Sequence, residues 1–250
     1  MPSDLNTPYQ YDQLSYLVSG GLLGLGLTFA GGFLYFGAWL ARIADDGRES
    51  SKRLADTLLV LADATALVAS NTAALYPHAA EGRPIVFCEP SCLSAVREDA
   101  PALLRGEARR HAEVVAKAAV LFEAFANTVA DRLPLRSGPE RILLHGHCHQ
   151  KSMGMVAVAK QLLAHVPGST VVDLDAGCCG MAGSFGYTAD HYDVSQAIGE
   201  RKLFPAVRAA GPHDVVVAAG TSCRHQVSDF TGVSPVHPAV LLHSLLEKAH

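Results

Sequence analysis

Two cysteines stand on adjacent residues in the stretch DAGCCGMAGSFGY, Asp175 to Tyr187, between Gly177 and Gly180. Neighbouring residues rarely close a disulfide, because the Cα separation and sulfur torsion of that bond do not suit them. Paired thiols in a glycine-rich loop serve better as two donors to one metal or cluster. The chain holds six cysteines, at positions 88, 92, 148, 178, 179 and 223. Cys148, Cys178, Cys179 and Cys223 form the main set, separated by 29 residues, none and 43 residues. Four thiolates can hold a tetrahedral zinc or an iron–sulfur cluster. Zinc sites usually draw their ligands as pairs about two to four residues apart, and that spacing is absent. A cluster is larger than one ion, so it can bridge several loops and accept both members of an adjacent pair. Gly177 and Gly180 let the backbone bend around the two thiols and offer amides to sulfur.

Two other uses of these cysteines stay open. Free cysteines pack well as small buried hydrophobes. A CC pair beside a helix N-terminus can also do thiol chemistry through a lowered pKa. Around Cys148, in HGHCHQK, lie His145, His147 and His149. A histidine beside a cysteine loop is more often a supporting donor than a ligand, and His147 and His149 are read so. Arg224, in SCRHQ, is either a counter-charge for an anionic centre or an exposed arginine.

The elements that would position these residues alternate. Short apolar runs at 84–88, 141–146, 169–174 and 214–220 read as buried parallel strands. Helical stretches are predicted at about 50–76, 107–132, 153–165, 191–207 and 238–248. Strands alternating with helices indicate an α/β fold with a parallel sheet. Cys92, Cys148, the Cys178–Cys179 pair and Cys223 each fall just past the carboxyl end of a predicted strand. Open α/β sheets bind ligands at that edge, and right-handed crossovers bring such loops to one rim.

The net charge of −4 with scattered basic residues gives no case for nucleic-acid binding. Six cysteines in 250 residues is below disulfide-scaffold density, which points to a reducing compartment. From Gln13 to Ala41 there is no charged residue. That run exceeds the roughly 20 residues that cross a bilayer. Tyr16 stands at one end and Tyr35 and Trp39 at the other, as in an aromatic belt. Arg42, Arg48, Lys52 and Arg53 follow it, so the positive-inside bias places the C-terminal bulk in the cytoplasm. The competing reading is a buried hairpin of core helices. The expected organisation is a tail at 1–12, a transmembrane helix at 13–41, a helical connector at 42–79 and a cysteine-rich α/β domain at 80–250. The expected location is the cytoplasmic face of the cell membrane, single-pass, with the N-terminus outside.

Four motifs in order carry a family likeness: EPSC at 89–92, HGHCHQK at 145–151, GCCGMAGSFGY at 177–187 and SCRHQ at 222–226. Together they resemble the cysteine-rich CCG domain. That domain occurs in heterodisulfide reductase B subunits and in iron–sulfur subunits of glycolate, lactate and anaerobic glycerol-3-phosphate dehydrogenases. The likeness is greatest to the C-terminal part of FAD-linked D-lactate dehydrogenase-type oxidases. It implies two half-motifs of the form Cys…Cys-Cys-Gly…Cys. The second half maps onto Cys148, Cys178, Cys179 and Cys223, where Gly220 leaves a single cysteine in place of the usual final CxxC. The first half keeps Cys92, but DDGR at 45–48 stands where its CCG would be, and Cys88 has no counterpart.

The resemblance implies a 4Fe-4S type cluster, with zinc as the alternative, and FAD only on a partner. It implies a flavoprotein dehydrogenase subunit and a quinone or other electron carrier as partners. A heterodisulfide reductase-like thiol site and a non-catalytic relic domain are the competing implications.

Overall fold

The computed structural model describes residues 9–247, and for residues 9–33, 35 and 36 the backbone alone. Residues 1–8 of the expected tail lie outside the described residues, as do most side chains of the run at 13–41. The fold is mixed α/β. In chain order it comprises α1 (Tyr9–Ala80), β1 (Ile85–Phe87), α2 (Pro90–Ser94), α3 (Ala100–Leu103), α4 (Gly106–Ala118), β2 (Ala119–Leu121), α5 (Phe122–Asn127) and β3 (Arg141–His145). There follow α6 (Cys148–Ser152), α7 (Val156–Leu163), β4 (Thr170–Asp173), α8 (Tyr192–Glu200), α9 (Leu203–Arg208), β5 (Asp214–Ala218), α10 (Thr221–Thr231) and α11 (Pro238–Leu245).

The chain divides into two compact units between Ala64 and Thr65. In the first, every residue of α1 from Gly37 to Ala64 is exposed. Leu54, Leu58, Leu59 and Val60 are among them, 56% to 68% exposed. Gly37–Ala80 is long and apolar enough to cross a membrane by length and composition, with a mean hydropathy of 1.6 in its most apolar stretch. DDGR lies within this helix, where Arg48 pairs with Asp45 at 3.4 Å one turn back.

The second unit holds two parallel sheets. One is a pair, β1 with β2, in register Ile85 to Ala119 and Phe87 to Leu121. The other has the order β4-β3-β5. β3 sits in the centre, with Arg141 opposite both Thr170 and Asp214. Along β3 the side chains alternate, as the pleat demands. Ile142 and Leu144 join one core layer with Leu162, Leu163, Val217 and Leu241. Leu143 joins the other, with Phe204, Val216, Val227 and the thiols Cys179 and Cys223. A parallel sheet so covered on both faces needs the near-continuous apolar strands that the sequence shows.

Two helix expectations are corrected. The helix predicted at 107–132 is interrupted by β2. Ala119 and Leu121 are buried to within 1% and pack with Leu93, and the segment gives β1 its ladder partner. The helix predicted at 191–207 is two helices. Pro205 lies in the first turn of α9, where a missing N–H leaves no intrahelical bond unmade. The expected single sheet is likewise two.

Candidate metal centre

The order β4-β3-β5 makes β3 a topological switch point, because the chain leaves it to one side and later returns on the other. A crevice forms outside the carboxyl ends of strands at such a point. The loop after β3 leads into Cys148, the loop after β4 carries Cys178 and Cys179, and α10 after β5 carries Cys223. All four thiols line one cavity of about 300 Å³. The sequence expectation that distant loops gather at one rim is met for these four.

The loop Asp175 to Gly183 curls tightly. Asp175, Gly177, Gly180, Ala182 and Gly183 all have positive φ. Gly180 is the most constrained: its φ is +97°, and an added Cβ would run into the backbone carbonyl of Ser195. Ser195 Oγ donates to Gly180 O at 2.9 Å, and Gln226 Nε2 donates to Ser195 Oγ at 2.6 Å. The Gly180 N–H reaches Cys178 Sγ at 3.3 Å. From α6, Lys151 Nζ donates to Gly177 O at 2.7 Å.

His147 caps α6. Its Nδ1 accepts from the His149 N–H at 3.2 Å, while its own backbone N–H donates to Gln150 Oε1 at 3.0 Å. Gln150 Nε2 in turn donates to Glu123 Oε1 at 3.0 Å. Both Gln150 and Glu123 are wholly buried. His149 Nδ1 lies 2.6 Å from Ser94 Oγ. A side chain at Gly220 would collide with the His147 ring, so the imidazole fills the space that a residue larger than glycine at 220 would use.

The thiols are free, and Cys148, Cys178 and Cys179 resist ionisation. Cys178 is raised well above the usual thiol range by its hydrogen bond with Cys179 and by burial. Cys179 is favoured as thiolate by Cys178, but its bond with Cys223 and burial push it up to about 12. Burial also raises Cys148. Crowded thiols of this kind repel one another as anions unless a cation sits among them, and a coordinating metal deprotonates its thiol ligands outright. Burial lowers His147, and for His145 burial with nearby Lys151 brings the value down to about 4. Glu89 is pushed up by burial. The stronger pull of hydrogen bonds from Thr221, with His147 nearby, leaves it below the usual carboxylate value. Glu123 is raised to about 7, chiefly by burial.

The donor chemistry fits a cluster bordered by four thiols. Among the described residues, no group of three or more His, Cys, Asp or Glu is set to hold a metal ion.

The other sequence-derived candidates are placed as follows. His147, His149 and Gly177 line the cavity. Gly180 lies behind it and shapes the loop. Arg224 turns inward to the chain itself, donating to Ala218 O at 3.0 Å and Ala219 O at 2.5 Å at the end of β5. Cys92 is exposed on α2 and is not among the cavity-lining residues, whereas its neighbour Ser91 is. Sequence reasoning missed Glu89, Glu123 and Gln150. Gln150 lies in a motif already singled out, but a glutamine gives no chemical signal until its partners are known.

The chain is 31% identical over 169 residues to the C component of the anaerobic glycerol-3-phosphate dehydrogenase of Escherichia coli (strain K12), a match covering 66% of this chain and 41% of that protein. It is 27% identical over 168 residues to D-2-hydroxyglutarate dehydrogenase of Escherichia coli (strain K12), covering 66% of this chain and 16% of that protein. For D-2-hydroxyglutarate dehydrogenase of Pantoea ananatis (strain AJ13355) the identity is 29% over 185 residues, covering 73% and 17%. The chain thus spans well under half the length of the curated relatives it matches. No family model and no solved structure matches it.

Proposed function

We propose that this chain is the iron–sulfur electron-transfer component of a membrane-associated, FAD-linked dehydrogenase, built on a cysteine-rich CCG domain. The observation that carries the reading is the convergence of Cys148, Cys178, Cys179 and Cys223 on one cavity. The similarity to a dehydrogenase component and to further dehydrogenases supports it. In this reading the four thiols hold a 4Fe-4S type cluster, which supplies one-electron transfer when bound.

The protein's own residues do the rest. Lys151 fastens the Gly177 turn and brings a positive charge to the thiols. The Gly180 N–H bonds to Cys178 Sγ, which favours its thiolate. Cys179 and Cys223 are buried, and such a dry wall tunes a redox potential. His147 and His149 close the side towards α2. A partner flavoprotein oxidises a 2-hydroxy acid such as lactate or glycolate, or glycerol 3-phosphate. Electrons pass through this chain towards quinone. α1 anchors the complex at the cytoplasmic face of the membrane, N-terminus outside.

Thiol–disulfide chemistry at the CC pair is the competing reading, and the electrostatics oppose it. A nucleophilic cysteine needs a lowered pKa, whereas Cys178 and Cys179 are both raised. The experiment is iron and acid-labile sulfide analysis of anaerobically purified protein, beside Cys178→Ser. Brown wild type with iron and sulfide, both reduced in the variant, is the expected result. A colourless protein holding one zinc, or equal iron in both samples, overturns the reading.

A further inference from the structure

Two of the cysteine motifs continue past their thiols, and the thiol cavity leaves part of each unused. Met181, Gly186 and Tyr187 of GCCGMAGSFGY meet His225 and Gln226 of SCRHQ around a second cavity, of about 410 Å³. We propose that this second cavity binds the ring of a quinone, the acceptor to which the centre in the thiol cavity passes its electrons; this rests on the iron–sulfur reading above and gives its acceptor a place in the fold.

One side chain separates the second cavity from the buried thiols. Met181 is 3% exposed and packs in the layer of Cys179 and Cys223, and it also lines the second cavity. Gln226 lines that cavity as well, and its amide holds Ser195, which holds Gly180 of the cysteine loop. Cys223 precedes Gln226 by less than one turn of α10.

The lining suits a ring that takes up protons as well as electrons. Tyr187 Oη and His225 Nδ1 lie 2.8 Å apart, across 38 residues of chain. With the phenol donating to Nδ1, the imidazole proton sits on Nε2, which has no partner among the described residues and is a donor for a ligand carbonyl. Tyr192 Oη donates to Asp229 Oδ2 at 3.0 Å, which fixes a second aromatic ring on the wall for offset stacking. Small-molecule sites run to about 300–1,000 Å³ and combine aromatic faces with a few placed polar groups. Reduction of a quinone takes two electrons, passed singly from the partner's reduced flavin through the centre, and two protons, which turn both carbonyls into hydroxyls. One proton comes from His225 Nε2, replaced through Tyr187 from water, and the other from water.

The test uses the full chain, purified anaerobically with its iron, and a short-chain benzoquinone carrying a photoreactive azide. Binding is titrated in the dark, and the peptides labelled on irradiation are mapped by mass spectrometry. The expected label falls within 181–192 and 225–229 and is displaced by excess short-chain quinone without the azide. His225→Leu weakens binding about tenfold, the scale of one lost hydrogen bond. His225→Gln, which keeps an N–H donor, weakens it less, and iron content stays at the wild-type level in both. Iron-loaded wild type that binds no analogue saturably, or is labelled only elsewhere, overturns the proposal and leaves the iron–sulfur reading standing. So does unchanged affinity in His225→Leu. Wild type without iron overturns the iron–sulfur reading itself, and this proposal with it.

Discussion

The Glu89 carboxylate accepts a 2.7 Å hydrogen bond from the backbone N–H of Thr221, across 132 residues of chain. Thr221 opens α10, two residues before Cys223, and its N-cap position is Gly220, which makes no side-chain cap bond. Glu89 therefore caps α10 from another strand–helix unit, placing negative charge where the helix dipole favours it. The EPSC and SCRHQ motifs meet here. Ser91 Oγ donates to the same carboxylate at 3.1 Å, so the glutamate joins the small sheet to the thiol-bearing one.

Glu89→Ala removes that cap. Loss of a helix cap costs typically about 1 kcal/mol, so the urea midpoint of the variant falls by a corresponding amount. Glu89→Gln, which keeps one acceptor oxygen, loses less. Identical midpoints for wild type and Glu89→Ala contradict the role assigned to the bond.

Gly180→Ala and Gly177→Ala separate backbone strain from collision. Both positions have positive φ, which costs a residue with a Cβ roughly 1 kcal/mol. At Gly177 the new methyl meets open space, while at Gly180 it strikes the Ser195 carbonyl. The Gly177 variant stays folded with iron near wild type. Gly180→Ala yields little soluble protein, or protein with iron sharply reduced, as gel filtration and iron assay would record. Equal behaviour of the two variants refutes the distinction.

Single serine replacements map the cavity. Cys148→Ser, Cys178→Ser, Cys179→Ser and Cys223→Ser each lower bound iron, since each removes one thiol of the ring. Cys88→Ser and Cys92→Ser, at exposed positions off the cavity, leave it near the wild-type level. Iron loss in Cys92→Ser would instead place that thiol at the centre.

Glu123 sets a pH dependence. Its folded value, about 7, lies above the ordinary glutamate value of 4.5. Between these limits the folded state binds a proton that the unfolded chain has released, so stability falls as pH rises from about 4.5 to about 7. Glu123→Gln cannot ionise. Relative to wild type it gains up to about 1.4 kcal/mol for each pH unit in that window, and the difference is smallest near pH 4.5. Urea midpoints of both proteins across the window check this. A constant offset between them removes the assigned ionisation.

The anchor predicted at the N-terminus has its own measurement. Deleting residues 1–41 makes the protein recoverable without detergent if that run is the membrane span. Detergent dependence that persists in the deletion assigns membrane contact to the exposed apolar residues Leu54, Leu58, Leu59 and Val60.

The sequence by itself determined the strand–loop–helix rhythm and the positions of the four thiols just past strand ends. Short apolar runs and glycine-rich punctuation are local signals, because backbone sterics and side-chain alternation act within a few residues. It also marked the sharp bends at Gly177 and Gly180, since positive φ selects glycine. The tertiary structure alone decided the order β4-β3-β5, and with it which loops share the crevice. It inserted β2 into a stretch with helical composition, because β1 needs a ladder partner that no local pattern specifies. It committed Arg224 to the carbonyls at the end of β5, and His147 and His149 to capping and to Ser94. These assignments depend on hydrogen-bond partners set by packing, and residue type does not encode which partner a polar group will meet. For the same reason the setting of His145 was hidden in the sequence: three histidines in HGHCHQK look alike until packing leaves one of them buried with a nitrogen unpaired.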